Sequence, residues 1–128
     1  MTPTAKPYEL TFERRPKYLY ACVKSETQTV ETSLEYLSEM IGKCREWKYK
    51  RLMIEKDIPE PLAAGDAFMI VSTLAEMNVE GIRIALPDQR EENFEKNQFC
   101  ILVGSNRGIS SEVFVSAEAA EKWLLSRS

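Results

Sequence analysis

Short apolar runs typical of β-strands alternate with helical stripes along most of this sequence. The clearest stripe follows Thr29, where apolar residues recur at spacings of four and three: Val30, Leu34, Leu37, Ile41 and Cys44. Only an α-helix brings such positions to one face. Residues 52–54 then form a short run that is apolar throughout, as in a strand buried on both faces. This alternation predicts parallel strands joined by helices.

The whole pattern predicts the order β-β-α-β-α-β-α-β-α. Strands at 8–14 and 18–23 are separated by Arg15-Pro16, so the first connection is a hairpin. Further strands are predicted at 52–54, 82–86 and 113–115, and Ser116 is positioned to cap the last helix. The second helix carries Ala67, Ile70, Val71, Leu74 and Met77 and ends at Asn78 and Gly81, and the third spans 89–103 up to Gly104. We therefore expect an α/β fold with a mixed, mostly parallel sheet of about five strands, one antiparallel edge strand, and helices packed on it.

The length and composition suit one core. A chain of 128 residues with 44% hydrophobic and 29% charged residues is typical of a single globular domain. No linker, repeat or low-complexity segment divides it, so we expect one domain over residues 1–128.

Charge and cysteine content limit the partners and the compartment. Seventeen basic against twenty acidic residues give a net charge of −3, and the densest basic stretch, at 43–51, fits the end of the first helix, so nucleic acid is not an expected partner. The longest apolar run, at 68–71, is too short to predict a membrane span. Cys22, Cys44 and Cys100 are far apart and lie among apolar residues, which favours reduced, buried thiols and a cytoplasmic location.

Near its end the chain resembles a known family. After the predicted hairpin and crossovers come Asn106-Arg107-Gly108, a strand, and then Ala-Ala-Glu-Lys-Trp-Leu at 119–124. This combination resembles the SpoIIAA-like group of STAS domains, which overlaps the lipid-binding CRAL-TRIO fold, and the resemblance spans residues 8–125. It implies a regulatory protein that binds another protein or a small ligand. The family's phosphorylatable Ser or Thr is missing between residues 58 and 71, so the resemblance does not extend to that switch.

The residue inventory argues against most catalytic chemistry. The chain has no histidine, which removes Ser-His and Cys-His pairs, the usual general base near neutral pH, and the commonest zinc ligand. It also has no glycine-rich phosphate loop. We therefore expect a protein without catalytic residues, cofactor or metal.

Candidate binding residues are placed by the predicted sheet. In open α/β sheets ligands bind beyond the carboxyl ends of the strands, which points to Lys24, Glu26, Lys56, Asp57, Asp88 and Ser116. Among them, Asp57 beside Lys56 could accept a phosphoryl group or hold Mg²⁺. The alternative is that both are solvated charges before a proline-rich turn.

A second candidate is the turn at Asn106 and Arg107. If Gly108 adopts a positive φ, the turn would fix the Arg107 guanidinium where it could bind a carboxylate or phosphate. The alternative is a helix C-cap, with Asn106 in the left-handed region and Arg107 bonded to helix carbonyls.

The second helix is apolar nearly all round. Phe68, Met69 and Met77 fit a buried helix, a dimer face, or the wall of an apolar pocket. Three functions follow in order of preference. The first is a non-enzymatic STAS-like module that binds a protein partner or a second copy. The second is a binder of a small apolar molecule or lipid between the helices around Phe68, Phe94 and Phe99. The third is an enzyme working through carboxylates and Arg107.

Overall fold

The order of elements agrees with the prediction. The computed structural model describes residues 7–59, 62–77 and 79–126, and the elements within these ranges are β1 (Glu9–Arg14), β2 (Leu19–Lys24), α1 (Val30–Glu46), β3 (Arg51–Asp57), α2 (Ala64–Ala75), β4 (Arg83–Pro87), a 3₁₀ turn (Glu91–Asn93), α3 (Phe94–Asn106), β5 (Ser110–Phe114) and α4 (Ala117–Leu125). None of the helices in these ranges is long and apolar enough to cross a membrane.

The five strands form one mixed sheet in the order β1-β2-β3-β4-β5. β1 and β2 are antiparallel, and the pairs β2–β3, β3–β4 and β4–β5 are parallel. The backbone N–H of Arg15 donates to the carbonyl oxygen of Tyr18 at 3.2 Å and closes the β1–β2 hairpin. The predicted fold class, a mixed and mostly parallel sheet with one antiparallel edge strand, is confirmed.

Helices cover both faces of the sheet, and its central strands are buried on both sides. Side chains of successive residues in a strand point to opposite faces, so Leu52 and Ile54 pack toward α1 and α2, whereas Met53 points the other way. On that second face Met53, Tyr18 and Ala85 pack with α4 through Ala120 and Leu124. The main core lies between the sheet and α1 and α2.

α1 begins where the sequence predicted. Thr29 is its N-cap, since the Thr29 hydroxyl accepts the backbone N–H of Thr32 at 3.0 Å while the Thr32 hydroxyl accepts the N–H of Thr29 at 3.2 Å. This reciprocal capping satisfies donors that the first turn leaves unpaired. Lys43 and Arg45 lie in the last turn, where positive charge complements the helix dipole.

The third helix begins and ends later than the prediction of 89–103. The Asp88 carboxylate accepts the backbone N–H of Arg90 at 3.0 Å, a turn that holds the chain before the first helical residue, Glu91. Gly104 lies inside α3 and does not end it. A Cβ at Gly104 would lie 3.4 Å from the Ile109 side chain and 3.5 Å from that of Val71, so this glycine permits close packing of α3. The helix ends at Asn106, and Gly108 reverses the chain with φ +86°.

Three smaller predictions also change. The last strand spans 110–114 in place of 113–115, and Val115 beyond it is 75% exposed. Asn78 lies outside the described residues, while Gly81 has the positive φ of a turn residue, +82°. Cys44 is buried as predicted, whereas Cys22 and Cys100 are only partly buried because each lies where packing is incomplete.

Candidate ligand-binding site

A cavity of about 560 Å³ lies between the sheet and the two helices α2 and α3. Its floor is formed by side chains of β3, β4 and β5 that point toward these helices, including Ile54, Ile84 and Val113. Pockets that hold small molecules have volumes of roughly 300–1,000 Å³. The space is therefore large enough for a ligand.

The deeper part of the cavity is apolar. α2 contributes side chains one helical turn apart, Ala67, Ile70, Val71 and Leu74, and α3 contributes Ile101 beside Gly104. Leu37 of α1 and Ile109 before β5 close the far walls. No charged side chain lies among these residues, so this part suits a hydrocarbon or an aromatic body.

The mouth of the cavity is polar. It lies at the carboxyl ends of β3 and β4, where ligands of open α/β sheets usually bind. The polar side chains there come from the two strand ends and the first turns of α3: Lys56, Asp88, Arg90, Asn93, Lys96 and Asn97. A polar mouth over an apolar interior suits a ligand with both kinds of surface.

Asp88 organises this mouth. Its carboxylate accepts the Asn97 amide at 2.9 Å, the Asn93 amide at 3.1 Å, and the backbone N–H of Arg90 at 3.0 Å. Burial alone would raise the pKa of Asp88, but these hydrogen bonds and the charge of Arg90 together hold it below its usual value. Asp88 is therefore a carboxylate whose hydrogen-bonding capacity is largely used in holding the start of α3.

Arg90 joins the two loops that border the mouth. Its Nη1 donates to the carbonyl oxygen of Ile58 at 3.0 Å, which links the segment after β3 to the segment after β4. Ile58 itself is buried and lines the cavity. The spacing of these two loops therefore depends on a contact that neither loop makes within itself.

Cys100 lies in the cavity wall, one turn beyond Lys96 on α3. Burial raises the pKa of the Cys100 thiol, while the ammonium groups of Lys56 and Lys96 act on it in the opposite direction. Because both ammonium charges reach the same thiol, Lys56 of β3 and Lys96 of α3 approach one another across the mouth. The neutral thiol is suited to packing and poorly suited to nucleophilic chemistry.

The candidates at the carboxyl ends of the strands are divided by the structure. Lys56 and Asp88 line the cavity, whereas Lys24, Glu26, Asp57 and Ser116 do not. Asp57 is exposed and lies beside Lys24 in the β2–β3 register. Ser116 caps α4, as predicted, because its hydroxyl accepts the Ala119 N–H at 3.1 Å.

Asn106 and Arg107 lie far from Lys56 and Asp57. They follow α3 and precede β5, and therefore occupy the amino end of the parallel strands, opposite to the cavity mouth. Arg107 Nη1 donates to the carbonyl oxygen of Val103 at 3.3 Å, the kind of contact expected in the C-cap alternative. Asn106 stays helical, and the left-handed conformation belongs to Gly108, because glycine has no Cβ to oppose it.

Phe68 and Met69 are exposed, so the expectation that they are buried is wrong. Phe68 is 42% and Met69 56% exposed, because the buried face of α2 is formed by Ala67, Ile70 and Leu74. Met77 is partly buried against the core. Phe94 and Phe99, predicted to surround an apolar ligand, also lie on the outside, and the cavity is lined by other residues.

The sequence analysis did not identify the cavity residues of α3. Asn93, Asn97, Cys100 and Gly104 recur at spacings of four, three and four, so they share one helical face of small or polar character. That face was the available signal. It was not recognised because the search for a helix face followed Phe94 and Leu102, which the structure leaves in solvent.

The fold, with its hairpin, parallel sheet and helices on both faces, is the SpoIIAA-like fold. Solved structures with this architecture include an uncharacterised protein of the DUF3478 family with a SpoIIAA-like fold from Shewanella loihica PV-4. It has 15% sequence identity and a TM-score of 0.54, over 97% of this chain and 98% of that one. The resemblance seen in the sequence is thereby confirmed at the level of the fold.

A second similar structure is an anti-sigma factor antagonist from Mycobacterium paratuberculosis, with 12% identity and a TM-score of 0.56 over 93% of this chain and 95% of that one. No protein-family model matches the sequence, and no curated protein matches it. Within the described residues no cluster of three or more His, Cys, Asp or Glu side chains is arranged to hold a metal ion.

Proposed function

We propose that this protein is a non-enzymatic module of regulatory type that binds a small, largely apolar molecule between the sheet and helices α2 and α3. The observation that carries the proposal is the cavity of about 560 Å³, apolar inside and polar at its mouth. The SpoIIAA-like fold of an anti-sigma factor antagonist supports the regulatory part. The absence of histidine from the sequence supports a role in binding, because the usual general base is missing.

Cysteine labelling tests the proposal without knowledge of the natural ligand. Cys100 lines the cavity, whereas Cys22 belongs to β2 and lies outside it, so Cys22 is an internal control. We expect 1-decanol to slow the alkylation of Cys100 by N-ethylmaleimide at least several-fold and to leave Cys22 unchanged. Mass spectrometry of the digested protein reports both rates. Equal rates with and without 1-decanol, together with no binding of any aliphatic probe by calorimetry, would exclude the cavity as a binding site.

A second candidate function is binding of a protein partner by the outer surface of α2 and α3. Five exposed apolar side chains lie on these helices: Phe68, Met69, Phe94, Phe99 and Leu102. The rings of Phe68 and Phe99 are 6.4 Å apart, and the Arg107 guanidinium lies 5.4 Å from the Phe68 centroid. Exposed aromatic clusters with a neighbouring arginine are typical of protein interfaces.

Paired variants test this second candidate. Phe68→Ser with Phe99→Ser makes the surface polar, and Val115→Ser changes an exposed apolar residue that follows β5. We expect a partner retained by the wild type and by Val115→Ser to be lost from the double variant in affinity capture. Sedimentation velocity over a range of concentrations would show whether the partner is a second copy. Retention of the same partner by the double variant would count against this surface.

A further inference from the structure

The charged groups around the cavity mouth do not balance. Three cationic side chains line the cavity, Lys56, Arg90 and Lys96, against the two carboxylates of Glu55 and Asp88. Both carboxylates already accept hydrogen bonds, Asp88 from Asn93, Asn97 and the Arg90 backbone, and Glu55 from the Tyr20 hydroxyl. The negative charge at the mouth is thus engaged by the protein itself.

The two lysines differ from these carboxylates. Neither Lys56 nor Lys96 has an ion-pair or hydrogen-bond partner among the residues that the structure describes. They reach the mouth from different walls, Lys56 from the end of β3 and Lys96 from the second turn of α3. Two ammonium groups on opposite walls can both donate to the oxygens of one anionic group.

The polar and apolar parts of the cavity also lie in a fixed order. The lysines are at the carboxyl ends of the strands, while Leu74, Ile101 and Ile109 line the interior toward the amino end of β5. A molecule with its charge at the mouth would therefore place an apolar body along the interior without burying the charge.

We propose that the cavity selects amphipathic anions, with Lys56 and Lys96 holding a carboxylate or phosphate group at the mouth and the apolar walls of α2 and α3 holding the rest of the molecule. This inference rests on the proposed ligand-binding function and names the chemical class of the ligand. It assigns to the lysines a role that an unspecific apolar pocket would not give them.

Three ten-carbon probes that differ only in the head group test the inference: decanoate, decyl phosphate and 1-decanol. Isothermal titration calorimetry below the micellar concentration gives each dissociation constant. We expect at least one anion to bind about tenfold more tightly than 1-decanol, as for a charge-assisted hydrogen bond. The anion that binds more tightly identifies the head group as a carboxylate or a phosphate.

The double variant Lys56→Met with Lys96→Met should lose this preference for anions and still bind 1-decanol. The matched control is Lys17→Met with Lys122→Met, which removes the same charge from two exposed sites outside the cavity. If the lysine variant does not fold, the comparison of decanoate with 1-decanol in the wild type still decides the question. Equal affinity for all three probes would overturn the inference and leave the binding function standing, whereas no binding of any probe would overturn the proposed function itself.

Discussion

Two glycines of this chain have opposite conformational requirements. Gly108 has φ +86° after α3, in the left-handed region that other residues adopt only at a cost, whereas Gly42 lies within α1. A Cβ at Gly42 would have no neighbour within 4 Å. The same substitution should therefore have opposite effects at the two positions.

We expect Gly108→Ala to lower the free energy of unfolding by about 1–2 kcal/mol, the cost of the left-handed conformation. Gly42→Ala should raise it by about 0.5–1 kcal/mol because alanine favours a helix interior. Urea unfolding of both variants and the wild type measures the two effects. A Gly108→Ala protein as stable as the wild type would contradict the backbone assigned to this turn.

Asp88 should make stability depend on pH in a defined direction. Its pKa is lower in the folded protein than in the unfolded chain, so folding favours the carboxylate. This stabilisation is fully present above the unfolded pKa of about 3.9 and is lost as the pH falls through the lower folded value.

For Asp88→Asn, which cannot ionise, we expect lower stability than the wild type at pH 7 and a difference that shrinks below about pH 4. Thermal unfolding from pH 7 to pH 3 measures it. Glu26→Gln, which removes an exposed carboxylate from the loop before α1, controls for the change in net charge. A difference that grows on acidification would contradict the sign.

At the scale of the elements, the helices differ in how their first turns are satisfied. α1 has a reciprocal threonine cap and α4 has the Ser116 cap, whereas no side chain caps α2 or α3 by a hydrogen bond. The start of α3 depends instead on Asn93 and Asn97, which donate to Asp88. Helix α1 is thus defined locally, while α3 depends on the strand that precedes it.

Removing the cap of α1 should have a measurable cost. We expect Thr29→Ala to reduce the free energy of unfolding by about 0.5–2 kcal/mol, because the Thr32 N–H loses its acceptor. Thr27→Ala, at an exposed position two residues earlier, should change it by less than about 0.5 kcal/mol. Chemical denaturation compares them, and equal effects would argue against Thr29 as the cap.

At the scale of the whole molecule, burial is uneven. The inner face of α1 is buried along its length, through Ser33, Tyr36, Leu37, Met40, Ile41 and Cys44. In α3 the buried residues are Val103 and Gly104, both near its end, because its earlier turns border the cavity. Cys44 reflects the same contrast, since burial raises the pKa of its thiol to about 11.

Hydrogen exchange should follow this contrast. We expect the backbone amides of α3 to exchange faster than those of α1 at the same pH, because fewer buried contacts oppose local opening. An aliphatic anion in the cavity should slow exchange in α3 and leave α1 nearly unchanged. Mass spectrometry of peptic fragments measures both, and similar protection of the two helices in the free protein would contradict the uneven packing.

Much of the fold could be predicted from the sequence because strands and helices arise from short-range patterns. The stripe from Val30 to Cys44 and the run at 52–54 indicate their elements without knowledge of distant residues. The hairpin at Arg15-Pro16 and the Ser116 cap are equally local. The boundaries of α3 escaped prediction because Gly104 has the same appearance in a sequence whether it ends a helix or permits close packing.

The sequence by itself determined the order of the elements, the mixed sheet, and the absence of histidine chemistry, since each depends on residue types and their local spacing. Only the tertiary structure decided that Lys56 of β3 and Lys96 of α3 share a cavity mouth, and that Arg107 lies at the other end of the sheet. It also decided that Phe68 faces outward while Ile70 faces the cavity. The physical reason is that a cavity is the space left where a helix and a sheet do not pack completely, and its size depends on contacts between residues far apart in the chain.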